Sequence, residues 1–216
     1  MTNIDNDNDN KLEKIKIAIF GESSVGKTHF SRTYTNGVNS DLTLPTVGID
    51  SFCINKILSN GKKYKIIIYD TAGQERYRSL SLTVVRRCDG IILMYDITKK
   101  NTYDSIKEWY NSIYEVTGDI NLILIGNKCD LKDKRVVSEE EGLKEAQNYK
   151  ISYFETSAKD GINVEKSLDD LIEKIIAKKD EKFKNKKNKK NEEEDNKIQL
   201  DARTSIKKNR HKCCGK

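Results

Sequence analysis

A chain of 216 residues is long enough for one well-cored domain with extensions, and its net charge of +6 is unevenly spread. Residues 1–10 carry three Asp and no base, residues 11–177 carry 25 bases against 24 acids, and residues 178–216 carry 15 bases against 7 acids, so the basic character belongs to a tail and not to a folded surface. No apolar run reaches the ~18 residues of a membrane-spanning helix, and the acidic, Asn-rich start is the reverse of a secretory signal; an intracellular protein is expected.

Residues 1–12 are polar and are predicted to be disordered. The run Lys14–Phe20 then reads as a short buried strand, and it leads directly into GESSVGKT at 21–28. Gly21 and Gly26 bracket a loop whose amides, from Ser23 through Ser24 and Val25 to Thr28, can turn inward toward an anion. A helix opening behind the loop adds its positive end. Lys27 supplies a point charge for outer phosphates and Thr28 a hydroxyl for magnesium. Pro45, the only proline, precedes Thr46 in the loop before the second strand. Thr46 reads as a plain loop threonine or as a second hydroxyl for the metal that senses a third phosphate.

Asn60-Gly61 separates two strand-like segments, 50–58 and 63–70, and predicts a hairpin. The second segment ends in Asp70-Thr71-Ala72-Gly73-Gln74. An Asp at a buried strand end can hold magnesium, directly or through water. Gly73 lets an amide approach a terminal phosphate, and the neutral amide of Gln74, both donor and acceptor, suits the orientation of an attacking water. Apolar runs at 91–95 and 120–125 read as further strands. Ile106, Trp109, Tyr110, Ile113 and Val116 share one face of a helix predicted over 102–116, and Val164, Leu168, Leu171, Ile172 and Ile175 one face of a helix over 163–177. Strands alternating with helices predict an α/β fold with a mostly parallel sheet, to which the hairpin adds one antiparallel edge.

Asn127-Lys128-Cys129-Asp130 follows the fifth strand. The Asp130 carboxylate can accept from guanine N1–H and its exocyclic amine, a donor pair adenine lacks. Lys128 can lie along base and ribose, and Asn127 can tie neighbouring loops. Ser157-Ala158-Lys159 follows the last strand and can offer an amide to guanine O6. Cys53, Cys88 and Cys129 read as buried small hydrophobes in a reducing compartment.

With these five motifs in order, residues 14–177 resemble the Ras superfamily of small GTPases. Asp70-Thr71-Ala72-Gly73-Gln74-Glu75-Arg76-Tyr77-Arg78-Ser79-Leu80, Met94-Tyr95-Asp96-Ile97-Thr98, Gly48-Ile49-Asp50 and the terminal cysteine pair make the chain most similar to the Rab branch. The resemblance implies a P-loop GTPase fold (G domain, 13–177) with a mixed six-stranded, mostly parallel sheet and helices on both faces. It also implies GTP or GDP bound with Mg2+, and slow hydrolysis of GTP to GDP and phosphate. The implied nucleotide contacts are Ser23, Ser24, Val25, Gly26, Lys27, Thr28, His29, Thr46, Gly73, Asn127, Lys128, Asp130, Ser157, Ala158 and Lys159. Thr28, Thr46 and Asp70 are the implied metal ligands, and Gln74 the catalytic residue.

The implied partners are an exchange factor, a GTPase-activating protein, a dissociation inhibitor or escort protein, a prenyltransferase and GTP-dependent effectors, with the protein itself a monomer. The chain departs from the Rab pattern at Ser51-Phe52, where Phe usually comes first, at Tyr69 in place of Trp, at Val84-Val85-Arg86-Arg87 and at Asn39. The first three alter the surface that effectors and exchange factors read; Asn39 alters stacking on the base.

Residues 178–216 form a flexible tail whose 39 residues span roughly 35 Å as a random coil. Its first 13 residues hold eight Lys, and it ends in Cys213-Cys214-Gly215-Lys216. A final Lys is a poor single-prenyl signal, so the pair fits the Rab arrangement in which both cysteines are prenylated. Two lipids suit stable anchoring because one binds only marginally. The Lys run reads as a solvated linker or as an aid to an anionic membrane. The expected location is the cytoplasmic face of an intracellular membrane with a cytosolic GDP-bound pool, and no nucleic-acid partner is expected. Two other readings stand beside this one: a nucleotide-gated scaffold with negligible hydrolysis, and a nuclear GTPase with a basic nucleic-acid arm.

Overall fold

Each apolar run of the sequence becomes a strand of one sheet. In the computed structural model, which describes residues 12–37, 46, 48–71 and 83–181, the strands are β1 (Glu13–Phe20), β2 (Ile49–Ile57), β3 (Lys63–Thr71), β4 (Gly90–Asp96), β5 (Asn121–Asn127) and β6 (Ser152–Thr156). They lie in the order β2-β3-β1-β4-β5-β6. Only β2 is antiparallel to its neighbour. The chain divides into two units, Met1–Ile175 and Ile176–Lys216. The sheet belongs to the first; of the second, residues 176–181 are described and are helical.

Burial explains the strand sequences. β4 is buried at every position, and Ile15, Ile17, Ala18, Ile19 and Phe20 of β1 are fully enclosed. Both faces are covered along β4 and along 17–20 of β1, so these stretches run apolar without alternation. At the edge, β2 alternates between half-buried and exposed. The hairpin expected at Asn60-Gly61 is present: Gly61 takes φ 73°, its amide donates to the Leu58 carbonyl at 2.9 Å, and Asn60 Oδ1 accepts the Lys62 amide at 3.0 Å.

Helices flank the sheet on both faces. One core cluster joins Ala18, Phe20, Ile91, Leu93 and Tyr95 to Trp109 and Ile113 of helix α3 (Ile106–Thr117) and Ala146 of helix α4 (Glu139–Tyr149). Against the other face of β4, helix α5 (164–175) approaches so closely that a Cβ on Gly90 would sit 2.6 Å from Ile175 Cδ1. Helix α1 (Lys27–Asn36) follows β1, and Phe30 is its buried aromatic.

Two expectations change. The helix predicted over 102–116 is two helices, α2 (Lys100–Asp104) and α3, which meet at Ser105. The Ser105 hydroxyl donates to the Thr102 carbonyl at 2.9 Å and the Thr102 hydroxyl to the Lys99 carbonyl at 2.7 Å; such local bonds compete with the helical ladder. Cys53 is exposed, not buried, because it falls on the outward positions of the edge strand. Cys88 and Cys129 are half-buried, and burial pushes the Cys88 thiol up to about 12. No helix among the described residues is long and apolar enough to cross a membrane.

Trp109, 1 % exposed, packs 5.8 Å from the Phe20 ring, and its Nε1–H donates to Glu22 Oε1 at 3.1 Å. It therefore fastens α3 both to β1 and to the loop that follows β1. Trp109→Ala is expected to lower unfolding stability by about 3–5 kcal/mol, measured by urea denaturation followed by far-UV circular dichroism.

Candidate functional site

The parallel strands end together. Register pairs Phe20 with Leu93, Ile19 with Asp70, Asp96 with Asn127 and Asn127 with Thr156. The segments singled out in the sequence are therefore brought to one edge, the usual ligand edge of an open α/β sheet.

The loop after β1 has the backbone its glycines permit. Gly21 takes φ 142° and a Cβ there would lie 2.0 Å from the Met94 carbonyl oxygen. Ser24 takes φ 64° and Gly26, the residue before α1, φ 105°. No side chain caps α1, so its first amides remain available to an anion. Lys27 is 6 % exposed and its Nζ donates to the Gly21 and Glu22 carbonyls at 2.9 and 2.8 Å. Burial lowers its pKa to about 8, against the pull of Asp70 and Glu22 in the opposite direction. Its charge is thus poorly solvated, and its hydrogen bonds among the described residues go to neutral carbonyls, a setting that favours an anionic ligand.

Next to the loop, three oxygen-bearing side chains converge. Thr28 Oγ1 donates to Asp70 Oδ2 at 2.5 Å, Thr46 Oγ1 donates to the same oxygen at 3.2 Å, and the two hydroxyls are 2.9 Å apart. Asp70 is fully buried, and burial raises its pKa despite the Thr28 hydrogen bond and the Lys27 charge. Its Oδ1 finds no hydrogen-bond partner among the described residues. A buried carboxylate with an orphaned oxygen beside two hydroxyls is an all-oxygen donor set, which fits a hard divalent cation such as Mg2+. No group of three or more His, Cys, Asp or Glu that could hold a metal occurs elsewhere among the described residues.

On the other side of the loop, Asn127 is 1 % exposed. Its Nδ2 donates to the Val25 carbonyl at 2.8 Å, while Oδ1 accepts from Thr156 Oγ1 at 3.0 Å and from the Ala158 amide at 3.1 Å. Ser157 Oγ donates to Asp130 Oδ1 at 2.7 Å and accepts the Asp160 amide at 3.0 Å. This fixes one carboxylate oxygen of Asp130. Lys128 adopts φ 70°, a left-handed conformation that costs an ordinary residue about 1–2 kcal/mol. Its Nζ donates to the Ser24 carbonyl at 2.8 Å and lies 2.6 Å from Asp96 Oδ2. A cavity of about 240 Å³ is lined by Gly26, His29, Asn127, Lys128, Asp130, Leu131, Ala158 and Lys159.

Sequence reasoning missed two supports. Asp96 is fully buried and anchors Lys128; burial works to raise its pKa, but hydrogen bonds from Lys128 and Thr98 outweigh that and lower it. The signal was available, since Asp96 ends a strand that is otherwise wholly apolar. Thr33 Oγ1 donates to the Ala158 carbonyl at 2.7 Å and ties the last loop to α1, a contact 125 residues apart that no local pattern announces. Gly73, Gln74, Asn39, Cys213 and Cys214 lie outside the described residues.

The chain's likeness to known proteins agrees with this arrangement. The model of the Ras family matches residues 16–177. The human Ras-related protein Rab-3A is 42% identical over 167 residues, 77% of this chain and 76% of that protein. The Bos taurus Ras-related protein Rab-8A is 42% identical over 169 residues, 78% of this chain and 81% of that protein. The Mus musculus Ras-related protein Rab-3C is 42% identical over 167 residues, 77% and 73%.

Gly26 offers the sharpest test of the loop geometry, because a Cβ there would lie 2.3 Å from Asn127 Nδ2. Gly26→Ala combines about 1 kcal/mol of left-handed strain with about 1–3 kcal/mol for a broken buried amide bond. Affinity for guanine nucleotide, measured by calorimetric titration with GDP and Mg2+, is expected to fall roughly 30-fold or more.

Proposed function

Because the chain belongs to the Rab family of the Ras superfamily, small GTPases that hydrolyse GTP and act in vesicle trafficking, we infer how its own residues divide that work. Ras-type GTPases bind GTP or GDP with Mg2+; the convergence of the Thr28 and Thr46 hydroxyls on Asp70 Oδ2, beside an Oδ1 that has no hydrogen-bond partner among the described residues, carries our assignment of the metal to these side chains. The loop amides from Ser23 to Thr28 and the Lys27 ammonium hold the phosphates. His29, Lys128 and Lys159 flank the nucleoside, Asp130 accepts from guanine N1–H and the exocyclic amine, and the Ser157-Ala158-Lys159 segment offers a backbone amide to guanine O6. Asn127 and Ser157 hold these groups in place.

When bound, Mg2+ neutralises charge that develops on the β- and γ-phosphate oxygens. Lys27 adds positive charge from a dry position, where electrostatic stabilisation is strongest. To Thr46, whose hydroxyl stands beside Thr28 and Asp70, we assign the sensing of the third phosphate. Gly73 offers its amide to the terminal phosphate, and Gln74 orients the attacking water. Catalysis of this kind is positioning and electrostatics, so intrinsic turnover is slow, and an activating partner of the family's kind supplies further positive charge, worth on the order of 10³–10⁵ in rate.

Family membership brings regulators and effectors of the Rab kind and association with intracellular membranes. We assign the attachment to Cys213 and Cys214, both prenylated, with the Lys-rich segment 178–190 adding attraction to an anionic leaflet. The GTP form then resides on the cytoplasmic face of an organelle, and the GDP form is extracted to the cytosol. The scaffold alternative is not favoured, since the chain matches the GTPase family over residues 16–177.

In single-turnover phosphate release with an activating protein present, Gln74→Leu is expected to lower the rate at least about tenfold while leaving GTP affinity within about twofold. Equal rates with and without Gln74 would remove its role. Incorporation of radiolabelled geranylgeranyl groups is expected in the full chain and absent from a Cys213→Ser/Cys214→Ser variant; label retained by that variant would place the lipid elsewhere.

A further inference from the structure

Behind the base-holding loops lies a polar network that does not line the cavity. The Arg135 guanidinium meets both oxygens of Glu155, at 2.6 and 2.7 Å, and also donates to the Val137 carbonyl at 3.1 Å. The Tyr153 hydroxyl donates to Glu155 Oε1 at 3.1 Å, which leaves Tyr95, 2.9 Å from the Tyr153 oxygen, to donate to Tyr153. Burial, helped by the nearby Glu155 carboxylate, holds both phenols protonated and able to donate; the contact with Tyr95 adds to this for Tyr153, while the hydrogen bond to Tyr153 works against it for Tyr95. Room for the two rings is made by glycines. A Cβ on Gly126, the residue before Asn127, would lie 2.9 Å from both hydroxyls, and one on Gly142 of α4 would lie 2.4 Å from the Tyr153 hydroxyl.

The two ends of this network belong to different base-holding segments. Arg135 lies on the chain that leaves the Asn127–Asp130 loop, and Glu155 on the strand that feeds Ser157-Ala158-Lys159. Beyond the β5–β6 pairing, which ends at Asn127 and Thr156, the segments are tied among the described residues by the Cys129 amide to the Thr156 carbonyl at 3.0 Å, Ser157 to Asp130, and Asn127 to Thr156 and Ala158. Arg135 and Glu155 are 28% and 13% exposed. An exposed ion pair adds little to stability, but a bidentate, partly shielded one constrains the direction as well as the distance of its two segments.

We propose that the Arg135–Glu155 pair, seated on Tyr153 and Tyr95, is a positioning device that sets how long guanine nucleotide stays bound, by holding the Asp130 segment against the Ala158 segment. This rests on the reading that those two segments grip the guanine. The pair stands apart from Lys27, Thr28, Thr46 and Asp70, so it governs release and not the chemistry at the phosphates.

The test uses the full chain loaded with a fluorescent N-methylanthraniloyl GDP and Mg2+ and chased with excess GDP. Glu155→Gln and Arg135→Gln are each expected to speed release about tenfold, and the double variant to be no faster than either single one, as for two halves of one contact. Arg135→Lys, which keeps the charge but loses the fork, should also release faster. It covers the case in which Arg135→Gln fails to fold. Single-turnover hydrolysis of GTP already bound should stay within about twofold in all variants, whereas a general loosening of the fold would slow it as well. Release unchanged in Glu155→Gln and Arg135→Lys, or rate gains that multiply in the double variant, would overturn the proposal. A competition of GTP against ATP on the unaltered chain separates the two levels. Equal retention of adenine nucleotide would overturn the guanine reading and the proposal with it, and a guanine-selective chain with unchanged variant rates would overturn the proposal alone.

Discussion

One buried side-chain amide holds the ligand edge of this protein together. Asn127 ends β5, and its carboxamide reaches the phosphate loop through Val25, β6 through Thr156 and the last loop through Ala158. A buried amide left unpaired is costly, so these three bonds are an obligation as well as a gain. A carboxylate here would lose the donor to Val25, and an apolar residue would strand the Ala158 amide. Gly26 is bound to the same constraint, since the space its Cβ would need is taken by Asn127 Nδ2. The loop after β1 and the loops after β5 and β6 are therefore set by a common part.

Around that part, the site stores charge that its own residues do not fully satisfy. Lys27 is buried against carbonyls, Asp70 has an oxygen without a hydrogen-bond partner among the described residues, and Lys128 is held by Asp96 in a backbone conformation that lysine seldom adopts. Buried charges without full partners are destabilising in an isolated domain. On our assignment of these residues, a nucleotide with its cation supplies the missing partners, so that ligand and fold stabilise each other through linkage. The strain at Lys128 has the same character, because Ser24 and Asp96 over-determine the position of its side chain.

Much of the fold could be read along the chain, for a physical reason. Central strands covered on both faces must be continuously apolar, and this made β1, β4 and β5 visible as short Ile- and Leu-rich runs. The hairpin was legible from Asn60-Gly61, where the turn requires positive φ. The split at Ser105 was not, since the apolar face of 106–116 continues the helical period without showing where the backbone is diverted by Thr102 and Ser105 hydroxyls. Cys53 was misread because a lone cysteine in a β-branched strand does not reveal whether that strand lies at the centre or the edge of the sheet.

The sequence by itself determined the chemistry on offer: a phosphate-cradling loop, hydroxyls and a carboxylate for a hard cation, and a carboxylate able to select guanine. These depend on residue type and short spacing, which are local properties. Tertiary structure alone decided which groups meet. Asp96 with Lys128, Thr33 with Ala158 and Arg135 with Glu155 are joined by strand register and helix packing over separations that no local pattern encodes. The donors were written in the chain; their distances became defined only when parallel strands of differing origin ended at the same edge.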